Sequence, residues 1–160
     1  MDKVYVEATY KSLNKLNEEL CGDRVEIVKN DDSYFVVLSD GLGSGVKANI
    51  LSTLTSKIIS TMMFQGASIE DTVETIVHTL PVCSVRKVAY STFMILQISY
   101  DGNAYLVEFD SPGCIFVRDG RLMNIEYNYR SIAGKEIKEA HFKVKPDDFM
   151  MLLSDGVVYA

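Results

Sequence analysis

Turn dipeptides divide most of this chain into short apolar segments, whereas both helical patterns fall in one stretch between residues 45 and 81. Asp101-Gly102 and Asp119-Gly120 are typical of hairpin turns, because both residue types tolerate the left-handed backbone of a tight turn. Consecutive hairpins favour antiparallel pairing, since parallel neighbours need a crossover connection between the two strands. The pattern therefore predicts an α+β fold with two mainly antiparallel sheets packed face to face and the helices on an outer side.

Periodicity and turn residues give the predicted boundaries of each element. Strand-like patterns occupy residues 4–8, 23–28, 34–39, 90–100, 104–109, 114–118, 122–126, 141–145 and 149–154. A first helix follows Gly45, and its apolar stripe is predicted at Ala48, Leu51, Leu54, Ile58 and Met62. A second helix is capped by Ser68 and ended by Pro81. Residues 11–20 are predicted to form a helical turn or a loop, and residues 128–134 a loop.

Length and composition fit one domain. With 160 residues, 48% of them hydrophobic, the chain is predicted to form a single domain over residues 1–160 with a sizeable core. No apolar run approaches the roughly 20 residues that span a bilayer, and the first residues lack the basic and apolar regions of a signal peptide. The expected compartment is therefore the cytoplasm, without membrane insertion.

Three widely spaced cysteines and no Cys-x-x-Cys pattern favour reduced thiols over disulfides or structural zinc.

The charge balance argues against nucleic acid as a partner. The formal net charge is −6, from 22 acidic and 16 basic residues, and the sequence shows no basic stripe. An acidic balance suits cation binding, although a solvated surface alone would also produce it.

His78 lies on a predicted helix and His141 on a predicted strand, and neither has the setting of a catalytic nucleophile relay. Carboxylates are therefore the first candidates for chemistry.

Two aspartates end apolar strands in the same way. Residues 36–41 and 151–156 each contain apolar residues followed by Ser-Asp-Gly, which places Asp40 and Asp155 at strand ends. A strand end holds a carboxylate rigidly, and the following glycine allows a sharp turn and a close approach of its carbonyl to a ligand. Adjacent carboxylates repel one another, and a divalent cation such as Mg²⁺ or Mn²⁺, which prefers oxygen ligands, compensates that repulsion. The repeated segment therefore makes Asp40 and Asp155 candidate metal ligands.

Two other interpretations of these segments stay open. Asp-Gly dipeptides are usually turns, and only the fully apolar strands before Asp40 and Asp155 distinguish them from the other two. The Gly41–Gly45 loop precedes a helix, as a phosphate cradle does, but it lacks the GxGxxG spacing and the Gly-Lys-Ser/Thr of a P-loop. The negative charge of Asp40 also disfavours a phosphate beside it.

Four segments in order carry a family resemblance. Residues 39–45, Ser-Asp-Gly-Leu-Gly-Ser-Gly, resemble the Asp-Gly-x-Gly-x-Gly signature of metal-dependent type 2C protein phosphatases, particularly the bacterial stage II sporulation protein E branch. Gly22-Asp23 resembles the upstream Gly-Asp motif of that branch. Tyr90–Phe93 and the Ser111-Pro112 turn resemble its middle section, and residues 145–156 resemble its later Pro-Gly-Asp and Ser-Asp-Gly segment. The likeness covers almost the whole chain in order.

The resemblance implies a four-layer α/β/β/α sandwich and a metal-dependent serine/threonine protein phosphatase, a signalling or developmental regulator in bacteria. It implies two Mn²⁺ or Mg²⁺ ions, both bound by Asp40, with the Gly41 carbonyl on one ion and Asp155 as the second shared carboxylate. Asp23 would hydrogen-bond metal-bound water or help to bind a metal. Asp40, Asp155 and Asp23 are thus the implied catalytic residues. The implied substrate is a phosphoserine or phosphothreonine protein, whose phosphorus is attacked by water that the cations activate.

One departure from the family pattern concerns the end of the sequence. Family members usually supply a further metal-binding aspartate beyond the second Asp-Gly, whereas this sequence stops at Ala160. The domain is therefore expected to lack its C-terminal helix and closing strands, as a fragment would, and its exposed edge is expected to favour a dimer. Two alternatives follow: a pseudophosphatase that binds phosphoproteins without hydrolysing them, and another metal-dependent phosphohydrolase that acts on a small molecule.

Overall fold

The computed structural model describes residues 3–12, 22–41, 45–79 and 91–155. The elements in these ranges are, in chain order, β1 (Asp23–Lys29), β2 (Ser33–Gly41), α1 (Gly45–Phe64), α2 (Ile69–Thr79), β3 (Ser91–Ser99), β4 (Asn103–Phe109), β5 (Cys114–Arg118), β6 (Arg121–Leu122), β7 (Asn128–Ile132), β8 (Lys135–Lys143) and β9 (Phe149–Leu152). Most of the segment 11–20, together with Pro81 and Tyr90, lies outside the described residues.

Antiparallel pairing organises both sheets, as the hairpin pattern predicts. The first sheet has six strands in the order β1-β2-β3-β4-β8-β7, and the second has three in the order β6-β5-β9. Every pair of neighbouring strands in these two sheets is antiparallel. Both helices lie in the connection between β2 and β3. The predicted α+β class with two antiparallel sheets is therefore confirmed.

Apolar cores cover both faces of the first sheet. On β2, Phe35 and Val37 point to one face, where they pack with apolar residues of α1 and α2. Val36 and Leu38 point to the other face, where they pack with residues of β5 and β9. The helices, the first sheet and the second sheet are thus stacked as three layers of the sandwich that the resemblance implies.

Helix α1 packs through small and hydroxyl-bearing residues, which differs from its predicted apolar stripe. Its buried residues are Ala48, Leu51, Ser52, Thr55, Ser56, Ile59, Ser60 and Met63. Leu54, which the stripe places in the core, is 43% exposed. Hydroxyl groups are accepted there because they bond to the helix itself, as when Thr55 Oγ1 donates to the Leu51 carbonyl at 2.8 Å. No helix in the described ranges is long and apolar enough to cross a membrane.

Helix α2 follows its prediction. Ser68 caps it, because the backbone N–H of Asp71 donates to Ser68 Oγ at 3.1 Å. The buried residues of the helix are Ile69, Thr72, Val73 and Ile76. Arg130 of β7 ties the helix to the sheet, because its guanidinium pairs both with Glu70 of α2 and with Glu139 of β8.

The β7–β8 hairpin replaces the loop predicted at residues 128–134. Ala133 and Gly134 take positive φ angles of 51° and 79° and so form the tight turn between the two strands. The same hairpin extends the strand predicted at residues 141–145 back to Lys135. Charged side chains dominate β8, and uncharged polar side chains are common in β7, which is why the apolar alternation of a strand is weak in this part of the sequence.

Two further strand predictions need correction. Residues 4–8 form no regular strand, although the Val4 N–H donates to the Tyr100 carbonyl at 2.8 Å. The strand predicted at residues 122–126 is confined to the two residues of β6. In both segments some apolar side chains, such as Val4 and Ile125, pack on the core between the two sheets, although the backbone forms no continuous ladder there.

The outer face of the second sheet is apolar and exposed. The side chains on that face are Ile115, Leu122, Phe149 and Met151, which are between 38% and 77% exposed. The sequence predicts a buried strand at residues 149–154, and this is wrong for two of its six residues, Phe149 and Met151. Only Met150 and Leu152 reach the core between the sheets, because side chains alternate along β9.

An ion pair between Arg118 and Asp148 fixes the turn that leads into β9. Arg118 Nε and Nη2 donate to the two carboxylate oxygens of Asp148 at 2.9 and 2.8 Å. The side chain of Asp148 is only 4% exposed, and the backbone N–H of Lys145 also donates to it at 2.7 Å. The hydrogen bonds from Arg118 hold the pKa of Asp148 below its ordinary value.

We expect Asp148→Asn to lower the free energy of unfolding at pH 7 by about 2 kcal/mol, because a charge-assisted pair is lost. The folded-state pKa of Asp148 is lowered. This stabilisation is therefore present above the unfolded-state pKa of about 3.9. It is lost as the pH falls through the folded-state value. Urea unfolding between pH 7 and pH 2 should therefore show the wild type and Asp148→Asn converging in acid. The control is Asp147→Asn in the same turn, and a pH-independent gap would contradict the expectation.

Candidate metal site

Asp23 and Asp40 lie opposite each other at one end of the first sheet. The β1–β2 register pairs Asp23 with Asp40. Residues directly opposite in antiparallel strands point to the same face, with Cβ atoms about 4.5–5.5 Å apart. That face is turned toward the second sheet, because the neighbouring Ser39 points the other way and donates from Oγ to the Ser52 carbonyl of α1 at 2.6 Å. Two of the predicted site residues are therefore brought together.

Gly41 ends β2 in direct contact with α1. Its N–H donates to the Gly22 carbonyl at 2.8 Å, which fixes the strand end beside the start of β1. A Cβ atom added at Gly41 would lie 2.0 Å from the Ala48 carbonyl oxygen, so only glycine fits against this helix backbone. The sequence predicts glycine here for a sharp turn, and the structure adds the close approach of α1 as a reason.

Ser91 is a supporting residue that the sequence did not single out. Its hydroxyl donates to the Asp40 carbonyl at 3.0 Å from the adjacent strand β3. Together with Ser39 on the helix-facing side, it holds the backbone on both sides of the Asp40 side chain. The signals in the sequence are the position of Ser39 and Ser91 at the ends of predicted strands and their place in two of the segments that carry the family resemblance, and neither signal assigns a role to the hydroxyl groups.

The second Ser-Asp-Gly segment reaches this end of the first sheet through its serine. Ser154 Oγ donates to Asp23 Oδ2 at 2.8 Å, and the residue as a whole is buried. Asp155 follows directly and is exposed. The two Ser-Asp-Gly segments therefore meet near one place, with Asp23 between them.

A small cleft opens between the two sheets beside Asp40. Its lining residues are Leu38, Asp40, Thr92, Phe93, Met94, Ser111, Pro112, Leu153 and Ser154. Apolar side chains form much of the wall, while an aspartate and hydroxyl groups supply its polar atoms. The cleft is small, with a volume of about 10 Å³, and it brings Asp40 and Ser154 to the same opening. It therefore has room for about one water molecule.

The donor chemistry of this end of the sheet fits a hard cation. Carboxylate and carbonyl oxygens from Asp23, Asp40 and Gly41 are the ligands that Mg²⁺ and Mn²⁺ prefer. Within the described residues, however, no group of three or more His, Cys, Asp or Glu side chains is close enough to hold a metal ion. Asp23 and Asp40 thus form a pair, and Asp155 stands one residue beyond the serine that contacts Asp23.

Both histidines lie in other settings. His78 Nδ1 is 2.8 Å from the Glu74 carbonyl oxygen one turn earlier in α2. The ring of His141 stacks on Tyr105, with ring centroids 4.4 Å apart. The first contact is within one helix, and the second joins the neighbouring strands β8 and β4. Residues 42–44 of the glycine-rich loop lie outside the described residues.

A profile of the stage II sporulation protein E (SpoIIE) family matches residues 30–160. The chain belongs to the SpoIIE family. Asp40, Gly41 and Asp155 lie within the matched residues, and Asp23 precedes them. The resemblance carried by the glycine-rich signature is therefore confirmed. No match was found among curated proteins.

Solved structures agree with this family in their fold. The phosphatase domain of SpoIIE from Bacillus subtilis, with a fragment of its regulatory domain, gives a TM-score of 0.71 at 21% identity over 85% of this chain and 42% of that one. A crystal form of the same phosphatase domain without domain swapping gives 0.58 at 22% identity over 85% and 60%. RsbX in complex with magnesium gives 0.68 at 20% identity over 91% and 72%. This SpoIIE-family chain thus spans less than two thirds of either SpoIIE structure.

Proposed function

We propose that this chain is the catalytic part of a metal-dependent serine/threonine protein phosphatase in bacterial signalling. The observation that carries the proposal is the pairing of Asp23 with Asp40 on the face toward the second sheet, with Ser154 bonded to Asp23. Membership of the SpoIIE family supports a phosphatase of the type 2C class. The magnesium complex of RsbX, a protein of similar fold, supports a divalent cation as the cofactor.

Asp40, Asp155 and Asp23 would hold the ions, together with the Gly41 carbonyl. Two Mn²⁺ or Mg²⁺ ions would supply Lewis acidity toward the phosphoryl group and lower the pKa of water. Asp40 would contact both ions, which suits its place at the end of a strand flanked on both sides by β1 and β3. A carboxylate held on a rigid strand keeps its geometry better than one on a loop.

Ser154 and Ser91 would hold these two aspartates in place, one through the side chain of Asp23 and the other through the backbone of Asp40. The hydrogen bond from Ser154 fixes one oxygen of Asp23, and the hydrogen bond from Ser91 fixes the peptide at Asp40. Supporting hydrogen bonds of this kind typically contribute about 10–100-fold to metal affinity or activity. The proposed substrate is a phosphoserine or phosphothreonine side chain, and its phosphate charge would be neutralised at the cleft beside Asp40.

A phosphoprotein-binding module without turnover is the second candidate. Asp155 is exposed and does not join Asp23 and Asp40 in a cluster of three among the described residues. A site with two close carboxylates would hold one cation more firmly than two. Such a protein would bind a phosphorylated partner and hydrolyse it slowly or not at all.

We expect hydrolysis of p-nitrophenyl phosphate and of phosphoserine peptides to require Mn²⁺ or Mg²⁺ and to stop on addition of EDTA. Asp23→Asn should raise the Mn²⁺ concentration needed for half-maximal activity by about 10–100-fold, because the Asp23 side chain is proposed to bind the ion or its water. Steady-state rates over a Mn²⁺ titration measure this shift.

The matched control is Glu26→Gln, on the same strand as Asp23. Glu26 lies on the helix-facing side, where its carboxylate is 3.3 Å from Lys57 of α1. It should leave the Mn²⁺ titration unchanged. Hydrolysis that is insensitive to EDTA and to Asp23→Asn would contradict the metal site. Binding of a phosphopeptide without hydrolysis would favour the binding module.

A further inference from the structure

Glu108 is a fully buried carboxylate between the two sheets, and the proposed reaction does not use it. It lies on β4 opposite Met94, in the core that separates the sheets, with an exposed fraction of 0%. Its Oε2 atom has no hydrogen-bond partner among the described residues. Because burying a carboxylate without full pairing is costly, its presence at this position requires a reason.

The neighbours of Glu108 are polar side chains from the following segment. Ser111 Oγ donates to Glu108 Oε1 at 3.2 Å. Burial, and then the charge of Glu108, raises the pKa of the Cys114 thiol to about 12. Burial, and then the Glu108 carboxylate, also raises the pKa of Tyr127. Both groups therefore stay neutral near pH 7.

The turn between β4 and β5 rests on this carboxylate and is conformationally constrained. Asp110 has a φ of 48° and Gly113 a φ of 108°, so two residues of one short turn adopt the left-handed region. Aspartate and glycine adopt this region more readily than other residues, so the sequence of the turn and its contact with Glu108 favour the same conformation. A Cβ atom added at Gly113 would lie 3.7 Å from Glu108 Oε1, which shows how closely the carboxylate approaches the turn.

The same turn forms part of the cleft at the candidate metal site. Ser111 and Pro112 line that cleft together with Asp40 and Ser154. The hydroxyl of Ser111 therefore connects the buried carboxylate with the cleft wall. A displacement of the turn would change the space beside Asp40 without touching Asp40 itself.

We propose that Glu108 is a positioning residue that holds the Ser111-Pro112 turn as the wall of the cleft beside Asp40, and thereby fixes the surface that a phosphorylated side chain would meet next to Asp40. This inference rests on the proposed function, because it assigns a substrate-positioning role at the same site. Glu108 itself contacts neither the substrate nor the ions. The hydrogen bond from Ser111 to Glu108 and the place of Ser111 and Pro112 in the cleft wall are the observations that carry it.

Glu108→Ala and Glu108→Gln separate this role from simple folding. Glu108→Ala removes the acceptor of the Ser111 hydroxyl and is expected to raise the KM for a phosphoserine peptide about tenfold, with a smaller change in kcat. Glu108→Gln keeps an oxygen acceptor and should stay close to the wild-type KM. Loss of folded protein alone would lower the apparent kcat and leave KM unchanged. Should Glu108→Ala fail to fold, Ser111→Ala removes the other half of the contact and is expected to raise KM in the same direction.

Amide hydrogen exchange tests the inference without any turnover. Glu108→Ala should speed exchange at residues 113–116 and leave the β1–β2 pairs unchanged, whereas Glu108→Gln should leave both unchanged. If the wild type hydrolyses no phosphoester, the proposed function fails while this measurement still reports on the turn. Wild-type KM and exchange rates in Glu108→Ala, or equal effects of the Ala and Gln variants, would overturn the inference.

Discussion

Asp40→Asn is expected to abolish the metal-dependent hydrolysis of phosphate esters while leaving the fold intact. The amide has nearly the shape of the carboxylate but lacks the charge that both proposed ions need. A loss of several kcal/mol of transition-state stabilisation corresponds to a fall in kcat/KM on the order of a thousandfold. The backbone contacts of Asp40 with β1 and β3 do not involve its side chain and should persist.

The control for this variant is Asp119→Asn, which changes the aspartate of another Asp-Gly dipeptide. Asp119 lies in the β5–β6 turn with a φ of 52°, a conformation that asparagine also tolerates. Thermal unfolding should show both variants folded, and calorimetric titration with Mn²⁺ should show binding lost only in Asp40→Asn. Full hydrolytic activity in Asp40→Asn would exclude Asp40 as the central metal ligand.

Local signals in the sequence were sufficient for the candidate carboxylates and for the class of fold. Asp40 could be singled out because an apolar strand and a glycine surround it, and these features are readable within six residues. The antiparallel sheets followed from Asp-Gly turns such as Asp101-Gly102, which fix hairpins locally. The family signature added the expectation that Asp23 joins the same site, and the β1–β2 register is compatible with it.

Contacts between distant segments could not be predicted in the same way. The hydrogen bond from Ser154 to Asp23 joins residues at opposite ends of the chain and depends on how the two sheets stack. The buried face of α1 differs from the predicted apolar stripe because it includes the polar residues Ser52 and Ser56. Their hydroxyls can be buried since they bond to carbonyls of the helix itself. Glu108 looks like an ordinary charged strand residue until its burial between the sheets is known.

Because α1 packs directly against Gly41, Gly41→Ala is expected to be the most disruptive small substitution at the site. The new methyl group would lie 2.0 Å from the Ala48 carbonyl oxygen and 2.7 Å from its carbon, both of them backbone atoms. Backbone cannot rotate away as a side chain does, so the start of α1 must shift from the strand end. Overpacking of this kind costs about 1–3 kcal/mol, or occasionally more.

We therefore expect Gly41→Ala to lower the melting temperature by roughly 2–4 °C for each kcal/mol lost in a chain of this size. It should also weaken Mn²⁺ binding, because the residue follows Asp40 and its own carbonyl is a proposed ligand. Gly22→Ala is the matched control, since its added Cβ would lie 3.3 Å from the Ala48 side chain, a contact that a small shift relieves. If Gly41→Ala matched Gly22→Ala in melting temperature and in Mn²⁺ affinity, close packing of α1 on this glycine would not be what shapes the site. If Gly41→Ala alone lost both, the helix would be shown to fix the end of β2 and, through it, the position of Asp40.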